Sequence, residues 1–202
     1  LFKIITRRLS KLNVSHWPRF QKHWKTEMPG SFNAFMASLS SHHRKQIRRT
    51  IRNLETASSN VSVRLYTKTE ELPVLYEDVE TIAAKTYQRQ LGAGFCDDEQ
   101  CRQRVQLEAE KGWLRMFVLY VDGIPTAYWW GQGYRGCFFS NALGYDPVYA
   151  KYSPGTYLIV KAIERLCDER YRFIDFGLGD ALYKRQFGNL SHQESTVYLF
   201  PA

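Results

Sequence analysis

Hydrophobic positions change period along this chain, and the changes divide it into elements. Ile47, Ile51 and Leu54 recur at i, i+4 and i+7 and predict a helix from Ser40 or Ser41, as cap, to about Glu55. Before it, Ser31 offers an N-cap for a short helix over Phe32–Leu39. Val61–Tyr66 alternates as a strand. Leu72, Leu75, Tyr76, Val79, Ile82 and Ala83 form the apolar stripe of a helix predicted over Thr69–Tyr87, with Pro73 in its first turns. After the loop Leu91–Gly94, Asp97 is the expected cap of a helix to about Lys111, with Gln100 in capping-box position.

The strongest β signal follows. Trp113–Val121 and Ile124–Gln132 flank Asp122-Gly123, a two-residue hairpin turn. A second turn at Gly133–Gly136 leads to Cys137–Leu143 and completes an antiparallel meander. Ser153-Pro154-Gly155-Thr156 opens a helix to about Arg170, with Ile159, Ala162, Ile163 and Leu166 inward. Arg172–Phe176 reads as a buried strand, Gly177–Asp180 as a turn, Ala181–Phe187 as one or two helical turns, and Ser195–Phe200 as a last strand. Strands in a run followed by a βαβ crossover predict an α/β (α+β) fold with a mixed central sheet. Residues 1–30 form a basic lead-in to a domain spanning 31–202; Leu1–Leu9 fits a strand or the last layer of a neighbouring domain. With Leu1 first, the chain is expected to be part of a longer polypeptide.

The 202 residues are 44% hydrophobic, which excludes disorder and suffices for one substantial core. No apolar stretch approaches the ~20 residues of a transmembrane helix. Cys96, Cys101, Cys137 and Cys167 contain no Cys-x-x-Cys pair, and the five His are scattered, so free thiols, a cytoplasmic location and no metal are expected. Charge changes the picture more. Residues 1–55 carry 12 Lys/Arg against Glu27 and Glu55, whereas the rest of the chain has a net charge of −2. Arg44, Arg48 and Arg52 lie at i, i+4, i+8 with Lys45 and Arg49 alongside, so the predicted second helix presents a cationic arc opposite its apolar stripe. Like charges at that spacing repel. The arc is either an anion-binding surface or a solvated face.

Two stretches carry candidate chemistry. With Ser153 at the N-cap and Pro154 at N1, the N–H groups of Gly155, Thr156 and Tyr157 are free to bind a phosphate, although the same residues also simply start a helix well. Asp175-Phe-Gly-Leu-Gly-Asp180-Ala-Leu-Tyr183-Lys184 follows the crossover strand, where open α/β sheets place ligands. Asp180, Tyr183 and Lys184 put an acid, a phenol and a cation on about one helical turn, a set suited to orienting an amine, protonating a leaving group and binding phosphate. Asp175 serves equally well as a cap within the turn. No Ser/His/Asp triad, Walker loop or paired-carboxylate motif is present.

Ser38-Leu39-Ser40 with Arg44 and Ile47-Arg48-Arg49, Tyr145-Asp146-Pro147 leading to Ser153-Pro154-Gly155-Thr156, and Asp175-Phe-Gly-x-Gly-Asp180-x-x-Tyr183-Lys184-x-x-Phe187-Gly188 together resemble the BioF-like acetyltransferases of the GNAT superfamily. That group includes CelD-type cellulose-biosynthesis proteins and is related to Fem-type peptidoglycan transferases. The resemblance implies a GNAT-like fold and transfer of an acyl group, acetyl first, from acyl-CoA to an amine or hydroxyl of a small-molecule or saccharide acceptor, in polysaccharide or cell-envelope metabolism. It implies Ser153, Gly155 and Thr156 at the donor's phosphates, Tyr183 near the departing thiolate, and Lys184 with the Arg44/Arg48 row facing the acceptor or an anionic part of either substrate. The candidate catalytic set is then Tyr183, Lys184 and Asp180, and the candidate substrate-binding set Arg44, Arg48 and Asp175. The family's Gln/Arg-x-x-Gly-x-Gly/Ala pyrophosphate signature is missing before the crossover helix. Two alternatives are an aminoacyl-tRNA donor, with tRNA on the basic helix, and a non-catalytic module that binds an anionic ligand. The loops Gln88–Cys96 and Gly144–Tyr152 are expected to select the acceptor.

Overall fold

Met116–Val121 is apolar at nearly every position because the strand it forms is covered on both faces. The computed structural model describes residues 20–195. Seven strands form one mixed sheet: β1 (Gln21–Glu27), β2 (Val61–Tyr66), β3 (Leu114–Val121), β4 (Ile124–Tyr134), β5 (Cys137–Tyr145), β6 (Phe173–Leu178) and β7 (Leu190–Glu194). Their spatial order is β2-β3-β4-β5-β6-β1-β7, antiparallel throughout except for the β5–β6 pair. The helices are α1 (Phe32–Ser38), α2 (Ser41–Ala57), α3 (Leu72–Ala83), α4 (Tyr87–Gln90), α5 (Glu99–Glu110), α6 (Pro154–Asp168) and α7 (Leu182–Phe187). Short 3-10 turns cover Thr69–Glu71 and Pro147–Tyr152.

Alternation along the strands divides the interior into two cores. Phe117, Leu119, Val121, Ala127, Trp129, Phe138, Ile174 and Phe176 face α1, α2 and α6. Tyr66, Met116, Val118, Tyr128 and Trp130 face α3 and α5 on the other side. The predicted stripe of α3 is what that helix buries, and the predicted stripe of α6 is buried together with Tyr157, Leu158, Val160 and Cys167. Both hairpin turns place two consecutive residues at positive φ, Asp122-Gly123 and Arg135-Gly136, the geometry that matches the twist of the paired strands. The second turn is tighter than Gly133–Gly136, so β4 runs on to Tyr134.

Local capping follows the sequence at Ser31 and Ser40, whose hydroxyls accept from the Ala34 and His43 amides. It departs at α5. Asp97 is committed to a two-point ion pair with Arg102, and Asp98 takes the cap instead, accepting from the Cys101 amide at 2.8 Å. The helix expected over Thr69–Tyr87 is interrupted after Ala83, where buried Thr86 returns both its amide and its hydroxyl to the Ala83 carbonyl. Part of the expected lead-in forms β1, inserted between β6 and β7. Strand β7 directly follows α7, earlier than the strand expected at Ser195–Phe200; residues 196–200 and Leu1–Leu9 lie outside the described residues.

Candidate active site

The parallel β5–β6 pair is registered over only three positions, Cys137–Phe173, Phe138–Ile174 and Phe139–Asp175. Beyond Phe139 the two strands part. β5 continues to Tyr145, while β6 reaches a turn whose Gly177 (φ 69°) and Gly179 (φ 102°) adopt a backbone that favours glycine. The β4–β5 ladder also breaks here. Trp130 faces Ala142 and Gly131 faces Ser140, so Asn141 is an extra residue on β5. Helix α6 starts at this open end. Asp146 caps the intervening 3-10 turn and holds Lys85 at 2.7 Å.

Ser153 is the N-cap of α6, but in a left-handed conformation (φ 54°) and with no capping bond from its hydroxyl. The Tyr157 amide makes the first intrahelical bond, to the Ser153 carbonyl, so it is engaged rather than free. The amides of Gly155 and Thr156 have no acceptor among the described residues. They form a helix N-terminus with the partial positive charge that phosphates favour.

Tyr183 projects from α7 onto the same core, edge-on to Phe176 with ring centroids 6.0 Å apart; Phe176 in turn stacks on Trp129. Desolvation, with a contribution from the Tyr87 phenol, pushes the Tyr183 hydroxyl up to about 12. It is therefore a phenol that stays protonated. Lys184, on the adjacent position, points elsewhere: its ammonium is buried and donates to the Leu178 carbonyl at 2.6 Å, fastening the glycine turn to α7. Burial pulls its pKa below the ordinary lysine value against the opposing pull of Asp175.

Asp180 is exposed and fully engaged. It accepts from the Trp24 indole at 3.1 Å and pairs with Arg185 at 3.1 Å and Lys22 at 3.9 Å. Asp175 is buried; it accepts from the Gly177 amide and lies between His23 and Lys25. Arg44 turns back onto the end of α1 and donates to the Ala37 and Leu39 carbonyls. Arg48, by contrast, is exposed with Lys45, Arg49 and Arg52, and none of the four has a partner among the described residues. Of the nine residues expected at a site, Ser153, Gly155, Thr156 and Tyr183 therefore border the splayed strands. Asp175, Asp180 and Lys184 shape the turn beside them, and Arg44 and Arg48 lie on a separate helix.

Three participants had no sequence signal. His23 and Lys25 reach Asp175 only because β1 pairs with β6, across 152 and 150 positions of chain. Tyr87 belongs to a segment that periodicity merged into the preceding helix. Its neighbour Gln88 donates to the Leu143 carbonyl at 3.1 Å and ties the loop after α4 to the free end of β5. The two loops expected to select the acceptor thus border the same opening.

A family model described as acetyltransferase (GNAT) domain matches residues 41–185. Among solved structures, the chain is similar to L-PGS from Bacillus licheniformis, with a TM-score of 0.60 and 12% identity over 88% of this chain and 60% of that one. It is also similar to FemX, with a TM-score of 0.62 and 9% identity over 90% of this chain and 61% of that one. A GCN5-related N-acetyltransferase from Sphaerobacter thermophilus matches with a TM-score of 0.53 and 13% identity, over 96% of this chain and 54% of that one. At these identities the likeness is one of fold. The chain spans between about half and three fifths of the length of these proteins. No curated protein matches the chain.

Proposed function

The chain belongs to the acetyltransferase (GNAT) domain family, and on that premise we propose that it moves an acyl group, acetyl first, from acyl-CoA to an amine or hydroxyl acceptor. One observation carries the reading: β5 and β6 separate beside a helix N-terminus with two amides unpaired among the described residues, next to a phenol that stays protonated. The amides of Gly155 and Thr156, with Ser153 beside them, hold the donor's phosphates. A backbone amide within Phe138–Ala142, where the ladder is interrupted at Asn141, polarises the thioester carbonyl. The reaction then needs orientation and charge stabilisation, without a covalent enzyme intermediate.

Tyr183 serves the leaving group. A thiol ionises near about 8.5, well below this phenol, so full proton transfer from Tyr183 to the thiolate is uphill. Its role is to donate a hydrogen bond to the developing thiolate, which takes its proton from water on leaving, while the N–H or O–H proton displaced from the acceptor passes to water. Lys184 and Asp180 position the turn that precedes α7, the helix that carries Tyr183. Asp175 anchors the same turn at its base.

Within the family we place the chain beside the BioF-like and CelD-type proteins, on the strength of the Asp175–Gly188 motif. A saccharide acceptor in polysaccharide or cell-envelope metabolism and a cytoplasmic setting go with that placement. The four cysteines are free thiols, and no described helix is long and apolar enough to cross a membrane. A second reading rests on the exposed cations of α2: an aminoacyl-tRNA donor whose phosphates meet Arg48, Arg49 and Arg52. Calorimetric titration with acetyl-CoA, beside gel shifts of charged tRNA at two salt concentrations, separates the two. Saturable acetyl-CoA binding supports the first reading. Salt-sensitive tRNA binding without it replaces the first by the second, and absence of both, with intact folding, leaves a module for another anionic ligand.

A further inference from the structure

Strands β1 and β7 lie at the end of the sheet, where among the described residues no helix covers the face opposite α6. On that face His23 and His192 are cross-strand partners, with rings stacked at 5.0 Å and 15° between planes. Glu194, two residues along β7, shares the face. Its carboxylate spans both imidazoles, one oxygen 2.7 Å from His23 Nδ1 and the other against His192 Nε2. One donor atom from each of the three residues lies within 4.8 Å of the others. We propose that His23, His192 and Glu194 form a binding site for a divalent cation of the zinc class, clamping edge strand β7 onto β1.

The donor set selects the ion. Two imidazoles and one carboxylate suit zinc and its first-row neighbours, whereas magnesium and calcium need oxygen-rich shells. Tetrahedral coordination with bonds of about 2.0 Å sets ligand atoms about 3.3 Å apart. The donors are therefore within a side-chain rotation of that geometry, and strand pairing fixes the backbone positions that carry them. Glu194 and His192 are half exposed, which leaves the remaining position open to water.

The surroundings are organised as metal sites usually are. A ligating histidine commonly gives its other N–H to a carboxylate, which fixes its tautomer and orientation. His23 does this through Nε2 to Asp175. That carboxylate is buried and held in turn by the Gly177 amide at 2.9 Å and Lys25 at 3.2 Å. Three ligands thus converge from two strands, one of them locked from behind. The cation would replace the protons that Glu194 now shares with the two rings.

The test reads metal uptake and not acyl transfer, so it does not need an acceptor. The full chain, stripped with chelator and dialysed, is titrated with Zn²⁺ by calorimetry, followed by Co²⁺ absorption and thermal unfolding. The expected result is one ion per chain, tetrahedral Co²⁺ bands and a raised unfolding temperature. His192→Ala and Glu194→Gln should weaken binding at least tenfold and abolish the bands. Asp175→Asn should weaken it about 10- to 100-fold, and His42→Ala should change nothing. His192→Gln stands in if the alanine variant does not fold. No saturable uptake, or uptake unchanged in the β7 variants, overturns the proposal.

Discussion

Replacing Thr156 by Asp should move stability and donor affinity in opposite directions. Thr156 is the third residue of α6, partly exposed, and its amide has no acceptor among the described residues. An acid in the first turn of a helix interacts favourably with the macrodipole, by about 0.3–1 kcal/mol. For a chain of this size that raises the unfolding temperature by roughly 1–4 °C. The same carboxylate would sit against the donor's pyrophosphate. At about 5 Å and an effective dielectric constant near 20, one pair of like charges costs about 3 kcal/mol, or about 200-fold in affinity. Thr156→Asn keeps the shape without the charge and should bind within a few-fold of the parent. Calorimetry with acetyl-CoA and urea unfolding of all three proteins make the comparison. Added salt should recover part of the loss in the Asp variant. If Thr156→Asp is as stable as expected and still binds acetyl-CoA like the parent, the phosphates do not lie at the α6 N-terminus and the argument is refuted.

Tyr183→Phe keeps the edge-on contact with Phe176 and removes one hydrogen bond to a developing anion, worth about 1.5–3 kcal/mol. Thiol release in the presence of an acceptor should slow by about 10- to 150-fold, with acetyl-CoA affinity and unfolding midpoint unchanged; an unchanged rate removes Tyr183 from the reaction. Glu108 is buried and accepts from Arg104 and the Trp130 indole, each at 2.8 Å, and from Gln132. Glu108→Ala strands the buried indole N–H and the Gln132 amide and should cost about 3–5 kcal/mol in urea unfolding, while Glu108→Gln, which keeps an acceptor oxygen, should cost less. The Arg102 pairing holds the Asp97 carboxyl below its ordinary value. That contribution is complete above the unfolded-state pKa and is lost as pH falls through the lower, folded one. Asp97→Asn should therefore flatten the acid limb of a stability–pH curve and leave its neutral region nearly parallel to the parent's.

The elements legible in the sequence were those whose cause is local. The stripe of α3, the stripe of α6, the Asp122-Gly123 turn and the Ser31 and Ser40 caps each depend on residues within a few positions of one another. The confusion of Asp97 with Asp98 has a physical origin of the same scale. Two adjacent acids both suit an N-cap, and the choice between them was made by Arg102, which claimed the first. Strand β1 was illegible for a different reason. Gln-Lys-His-Trp-Lys-Thr-Glu offers only Trp24 and Thr26 to the core because its other face carries no helix among the described residues. A strand half-buried at such a place needs little hydrophobicity, and its polar pattern resembles a loop.

The site divides in the same way. The Ser153–Thr156 helix start and the Asp175–Gly188 motif were readable as stretches, but residue types within a motif do not determine where the side chains point. Tyr183 and Lys184 are consecutive, yet one faces the Phe176 edge and the other buries its ammonium beneath the glycine turn. Arg44 and Arg48 lie one helical turn apart, yet the first is spent on the end of α1 and the second stays free among the described residues.

By itself, then, the sequence determined the types of most elements between Phe32 and Phe187, the meander, the crossover and the family likeness, since periodicity, turn chemistry and short motifs are properties of neighbouring residues. Only the tertiary structure decided which strands border each other, where β5 and β6 part, and that His23 meets Asp175, His192 and Glu194. Those contacts join positions more than 150 residues apart, and they exist because backbone pairing across the sheet, satisfied equally by almost any side chain, brought a polar strand in between β6 and the edge strand β7.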